Sequence, residues 1–272
     1  MKKILLVILA AALSLLSLTA CNSNTNTVDQ SWADAETLTY SMYDSSVGSE
    51  KIGGAVMSIT TNLTEADKTA CPDADTKLTA DVTRTGVCLL STVYYAKGYR
   101  VLTLTRTYTD LADDANSYIL KATHSGKNYR YSLSYPGASQ KNKSGSINVG
   151  STGYTDNEFL YYYIRCYAIG SVPSSIKVAD PFTDTAVKLT TSYKSDAATV
   201  TSDTDKLGSV VCNSVSISKS SSPVGNGITV YYLPDTSTYS YGDHTVIKSV
   251  KFPVKIVENN ISYVLGDFEV SR

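Results

Sequence analysis

Most of the chain after residue 36 alternates apolar and polar positions with a period of two, the signature of β-strands with one buried face. Leu102, Leu104, Arg106 and Tyr108 fall on one side of their run, with Thr103, Thr105, Thr107 and Thr109 on the other. Tyr118–Lys121 and Tyr129–Tyr135 flank the turn-forming Ser125-Gly126-Lys127-Asn128 and predict a hairpin. Its second strand puts Tyr129, Tyr131, Leu133 and Tyr135 on one face against Arg130, Ser132 and Ser134. Further runs follow at Val187/Leu189, Val211/Val215/Ile217, Ile228/Val230/Tyr232, Val250/Phe252/Val254/Ile256 and Ile261–Val270. Lys251 and Lys255 oppose the fourth of these, and Pro253, which brings no amide to a ladder, predicts an edge or a bulge there. Loops are expected at Ser220–Gly227 and Pro234–Asp243, and a Gly/Ser-rich linker at Gly137–Gly153. The connections suit antiparallel meanders.

One stretch changes period. Thr155 and Glu158 have capping-box spacing, and Leu160, Tyr163, Ile164, Tyr167 and Ala168 recur at helical intervals before Gly170. They predict one amphipathic helix near 156–168. Thr64–Ala70 predicts a shorter helical turn. The fold class expected is mainly β: a curved antiparallel sheet or partly open barrel with that one helix.

The N-terminus follows another pattern. Met1-Lys2-Lys3 precedes an apolar stretch from Ile4 to Leu18, shorter than the roughly 20 residues a spanning helix needs. Leu18-Thr19-Ala20-Cys21 then resembles a bacterial lipobox, against the plainer reading of an ordinary signal peptide followed by a coincidental cysteine. By resemblance to bacterial lipoproteins, Cys21 is the lipidation site and the chain is cut before it. Residues 1–20 are then a signal peptide, 21–36 a lipidated tether, and 37–272 a single β-rich domain with possible halves 37–136 and 154–272. Two or three acyl chains hold a protein on a membrane where one does so only marginally. The expected location is the cell envelope, outside the cytoplasm, on the outer membrane if the organism has two.

Composition and charge narrow the partners. Lys+Arg number 24 and Asp+Glu 25, and the mature 252 residues would carry 22 basic against 25 acidic, so no nucleic-acid partner is expected. Serine and threonine make up 68 of 272 residues, and Tyr (21) outnumbers Phe (4) and Trp (1), which suits polar-faced strands. Four cysteines remain after Cys21: Cys71, Cys88, Cys166 and Cys212. An even number in an exported protein permits two disulfides, the local pairing Cys71–Cys88 with Cys166–Cys212 being preferred and free thiols an alternative. Closing the 16 residues between Cys71 and Cys88 would contribute about 3 kcal/mol. No C-x-x-C occurs, and His124 and His244 lie far apart in sequence, so no metal or cofactor is expected.

Several segments together resemble a bacterial envelope family known as a domain of unknown function, similar in turn to the half-barrel lipoprotein carriers of the Lol system. The resemblance rests on Leu38-Thr39-Tyr40 with Lys51-Ile52-Gly53, on Leu160-Tyr161-Tyr162-Tyr163-Ile164-Arg165, and on Cys212–Ile217, Ile228–Leu233 and Phe252-Pro253-Val254-Lys255-Ile256. It implies a curved sheet around or against a helix, with an apolar concave face and no catalytic residues.

Catalytic patterns are sparse. Ser174–Lys177 and Ser216–Lys219 match S-x-x-K, but one follows Pro173 and the other lies in a strand where i and i+3 face opposite ways. Asp73, Asp75 and the acids of Asp110–Asp114 read as solvated loop residues rather than calcium ligands. The tyrosines carry two readings: half-buried packing, or an aromatic surface for a lipid, glycan or peptide. The ligand-face candidates are Tyr129, Tyr131 and Tyr135 on the hairpin and Tyr161, Tyr162, Tyr163 and Tyr167 on the helix. The leading expectation is a non-enzymatic, lipid-anchored envelope protein that binds an apolar or amphipathic ligand or an envelope partner. A structural or adhesion β-sandwich is the alternative, and an envelope hydrolase the third.

Overall fold

The computed structural model describes residues 34–48, 50–97, 100–150, 154–156, 160, 174–219, 227–234, 238–241, 245–248, 251 and 253–271. Strands β1 (Ala35–Asp44), β2 (Lys51–Thr60), β3 (Thr76–Arg84), β4 (Val87–Ala96), β5 (Arg100–Asp110), β6 (Tyr118–Ser125), β7 (Asn128–Ser134) and β8 (Lys143–Asn148) form an antiparallel meander. A second set runs back: β10 (Ser175–Asp180), β11 (Thr185–Thr201), β12 (Ser209–Lys219), β13 (Ile228–Tyr232), β16 (Pro253–Glu258) and β17 (Ile261–Ser271). The sets join where β1 pairs with β17, and β9 (Tyr154–Asp156) adds in parallel beside β10. Fourteen antiparallel strands thus make one sheet, nearly closed into a barrel. Strands β14 (Thr238–Tyr241) and β15 (Thr245–Lys248) form a separate hairpin.

The mainly β expectation holds because alternation dictates it. Inward positions such as Leu38, Tyr40 and Met42 on β1 and Leu78, Ala80 and Val82 on β3 are buried, while Thr39 and Asp81 between them are exposed. Turns sit where left-handed backbone is needed: Gly86 between β3 and β4 has φ +78° and Gly126 in the predicted hairpin has φ +61°. Thr64 caps α1 (Glu65–Ala70) reciprocally with Asp67, so the short helical turn read from the sequence is present.

Bulges account for several differences from the sequence reading. One between Val101 and Thr103 makes Val101 the buried residue and leaves Leu102 only half-buried. Another between Lys194 and Ala198 shifts β12, so that Val210 and Cys212 are buried and Val211 is 48% exposed. Strand β16 is no edge: it lies between β13 and β17, and a bulge at Tyr231/Tyr232 accommodates Pro253. Lys251 is buried rather than on a polar face, with a left-handed φ of +28°. Gly137–Gly153 is not a linker throughout: it contains β8, whose only large apolar inward residue is Ile147, and the loop at Pro234–Asp243 contains β14. Thr155 and Asp156 belong to β9, and Leu160 is helical and buried; the rest of the helix expected near 156–168 lies outside the described residues.

Candidate functional site

The inner face is not uniformly filled. Toward the end where β1 starts and β17 finishes, Leu38, Val93, Leu104, Leu120, Leu265 and Val254 are at most 2% exposed and form one continuous core. Following the same inward rows to the opposite end, exposure returns. On β4, Val93 gives way to half-buried Leu89 and Val87; on β5 and β6, Tyr108 and Tyr118 are half-buried; on β13 and β17, so are Ile228, Ile261 and Tyr263. The barrel is thus funnel-like, packed at the end where β1 starts and β17 finishes and less completely covered on these strands at the other, where Met42 on β1 and Ile217 on β12 nevertheless stay buried.

Charged residues face this mouth, among them half-buried Arg84, which continues the inward row of Ala80 and Val82 on β3. Arg106 follows Leu104 by two residues on β5 and so points inward; it is 6% exposed, and its guanidinium donates to Tyr118 Oη at 3.1 Å. Glu258 continues the inward row of Val254 and Ile256, on a strand six places away in the sheet. Glu258 is exposed at the rim, and desolvation by its surroundings pushes its pKa up against the opposing pull of Arg84 and Arg106. Arg106 and Glu258 both lie on the inner face of the one nearly closed sheet, on strands β5 and β16.

The gap between edge strands β8 and β9 is bridged by the turn after β10. Asp184 Oδ1 accepts from Tyr131 Oη at 2.9 Å, and Lys143 Nζ donates to the Phe182 carbonyl at 2.7 Å. Phe182 meets Tyr118 edge to face at 5.1 Å, and Tyr118 stacks on Tyr108 at 5.0 Å. Burial first, then Asp184, pushes the Tyr131 hydroxyl up to about 12, so it stays a proton donor at neutral pH. Elsewhere, the loop between β11 and β12 ties to the free edge of β17. Asp203 N donates to the Leu265 carbonyl at 2.8 Å, and Lys206 pairs with Asp267 at 2.5 Å.

Of the tyrosines named from the sequence, Tyr129 and Tyr131 are core residues at 1% and 5% exposure, so their row serves packing. Tyr135 is half-buried beside Tyr118, with Lys141 over its ring. Tyr161, Tyr162, Tyr163 and Tyr167 lie outside the described residues, as do Cys21 and Cys166. The preferred Cys71–Cys88 disulfide is absent: both are free thiols, as is Cys212. Cys71 follows α1 near the Tyr95 end of β4, where Asp75 N donates to the Tyr95 carbonyl, whereas Cys88 sits at the other end. Seven residues of strand, about 23 Å, separate Cys88 from Tyr95, far beyond disulfide reach. Asp110 accepts from Ala112 N and Asp113 N, and so serves its own turn.

Sequence reading missed the funnel residues Tyr108, Tyr118 and Glu258 as a group, since three separate strands supply them. An inward arginine in a threonine-rich strand was the one available signal.

No family matches the chain, and no curated protein does. Among solved structures, it is similar to a β-barrel-like protein of a domain-of-unknown-function family from Brucella abortus, with 8% identity and a TM-score of 0.48 over 89% of this chain and 99% of that one. It is also similar to a candidate lipoprotein from Parabacteroides distasonis ATCC 8503, with 13% identity and a TM-score of 0.28 over 88% of this chain and 98% of that one.

Proposed function

We propose that this chain is a non-enzymatic, lipid-anchored binding protein of the cell envelope that receives an amphipathic ligand in the open end of its barrel. The observation that carries the reading is the contrast along single strands between a filled half and a half-exposed apolar half. A concave apolar wall with few convergent polar groups is the usual form of a small-molecule site. The apolar part of the ligand lies on Leu89, Ile228, Ile261 and Tyr263. Its polar end meets Arg106 and Glu258. The lipid anchor at Cys21 is part of the same proposal, on the strength of Leu18-Thr19-Ala20-Cys21.

The test uses the full chain expressed with its native leader. Cys21→Ala should move the protein from membranes into the soluble fraction, where organic extraction followed by mass spectrometry should find co-purified lipid. Leu89→Arg should abolish that signal while leaving the fold intact, because Leu89 is only half-buried. A soluble variant that carries no lipid and binds none in vitro refutes the binding reading. A variant that stays on membranes refutes the anchor.

A further inference from the structure

The outer face carries a second feature, independent of the funnel. A groove of about 440 Å³ lies on the convex side of β4 to β7, walled at one side by Ala70 of α1. Strand register fixes its floor. Tyr94 pairs with Thr103, Thr103 with Thr123, and Thr123 with Arg130, giving one row across four strands. The next row contains Thr105, Lys121 and Ser132. At a strand spacing near 4.8 Å, each full row spans about 14 Å.

Three properties distinguish this surface from an ordinary solvated sheet face. Its floor is a lattice of hydroxyls, with Thr105, Thr123 and Ser132 all exposed. Tyr94 presents a partly exposed ring beside them, held rigidly because its hydroxyl donates to Asp67 at 2.8 Å and α1 is locked to the sheet by the same carboxylate. Finally, Lys121 and Arg130 are diagonal neighbours on β6 and β7, both exposed and neither engaged by another described residue. Like charges at such a spacing repel. An anion between them removes that cost and collects two charge-assisted hydrogen bonds.

We infer that this groove binds an acidic oligosaccharide. The carboxylate of a uronic acid unit sits between Lys121 and Arg130, ring hydroxyls exchange hydrogen bonds with Thr105, Thr123 and Ser132, and the apolar face of a neighbouring ring lies on Tyr94. Two cations are too few for a polyanion held by charge alone, and the hydroxyl floor recognises a polyhydroxylated partner rather than a bare ion. The elongated floor suits an oligomer more than a single ring. The inference does not depend on the funnel, which opens on the other side of the sheet.

The test is titration calorimetry of the soluble Cys21→Ala protein with a uronic acid tetrasaccharide, a neutral tetrasaccharide of the same length, and anionic phospholipid vesicles. The acidic sugar should bind, more weakly as salt rises. The double variant Lys121→Gln/Arg130→Gln should lose about tenfold in affinity or more, about 1.4 kcal/mol. Both residues are exposed, so its unfolding midpoint should not move. No binding of the acidic sugar overturns the inference, as does equal binding by the neutral sugar, by vesicles in place of the sugar, or by the double variant. Lipid co-purification with the double variant stays as in its parent whichever way this result falls, so the two readings fail separately.

Discussion

Substituting Asp67 tests how the outer wall is fixed. Its carboxylate accepts from Lys77 Nζ at 2.7 Å, Tyr94 Oη at 2.8 Å, and Thr64 Oγ1 and N at 2.8 and 3.0 Å, and the residue is 6% exposed. Hydrogen bonds to a charged group contribute about 1.5–3 kcal/mol each. Lys77 keeps 28% side-chain exposure and recovers water, and an asparagine retains one acceptor oxygen. Asp67→Asn should therefore cost roughly 2 kcal/mol near neutral pH, or about 4–8 °C in Tm for a chain of this size. Lys77 first, then Thr64, holds the Asp67 carboxyl well below the ordinary carboxylate range. A depressed folded pKa stabilises above the unfolded value, near 3.9, and that stability is lost as pH falls through the folded pKa. The gap between parent and variant should be full at pH 5 and above and narrow below about pH 4. Urea denaturation at both pH values reads it as a shift in midpoint with unchanged slope. Equal midpoints at neutral pH, or a gap that persists in acid, would refute the reasoning.

Other substitutions probe the barrel itself. Tyr40→Phe removes a buried hydrogen bond of 2.8 Å to the Pro253 carbonyl that links β1 to the start of β16, and should lower stability by about 1–3 kcal/mol in the same denaturation assay. Gly53→Ala would drive a methyl into the Thr83 carbonyl and to 2.6 Å from Arg84 Cα, so strands β2 and β3 must part; a loss of about 3 kcal/mol or poor soluble yield is expected. Among the described thiols, half-buried Cys88 should take a maleimide under native conditions. Cys71 and Cys212 should not, since both are buried and burial pushes the Cys212 thiol up to about 12; peptide mass spectrometry before and after denaturation decides this.

Local patterns made β5, β6, β7, β13, β16 and β17, the Ser125–Asn128 turn and the short helical turn at Thr64–Ala70 legible, because each depends on neighbours within a few residues. It failed where a bulge changes which face the residues beyond it present, as at Val101–Thr103 and in β12, where Val211 turned outward. It failed also for β8 and β14, which are too short or too poor in apolar side chains to show a period. The tyrosine row at Tyr129 and Tyr131 was placed on the correct face, but whether that face was core or binding surface depended on what stood opposite.

The sequence by itself determined the strand-rich class, the Ser125–Asn128 turn and the lipobox pattern before Cys21, all of which reside in short-range order. Only the tertiary structure decided that β1 pairs with β17, that Cys71 and Cys88 lie at opposite ends of β4, and that Arg106 and Glu258 share one lumen. It likewise assembled Tyr94, Lys121 and Arg130 on one outer surface. The physical reason is that period two fixes which way a side chain points relative to its own strand. The register, bulges and curvature that choose its neighbours are settled only when the whole sheet closes.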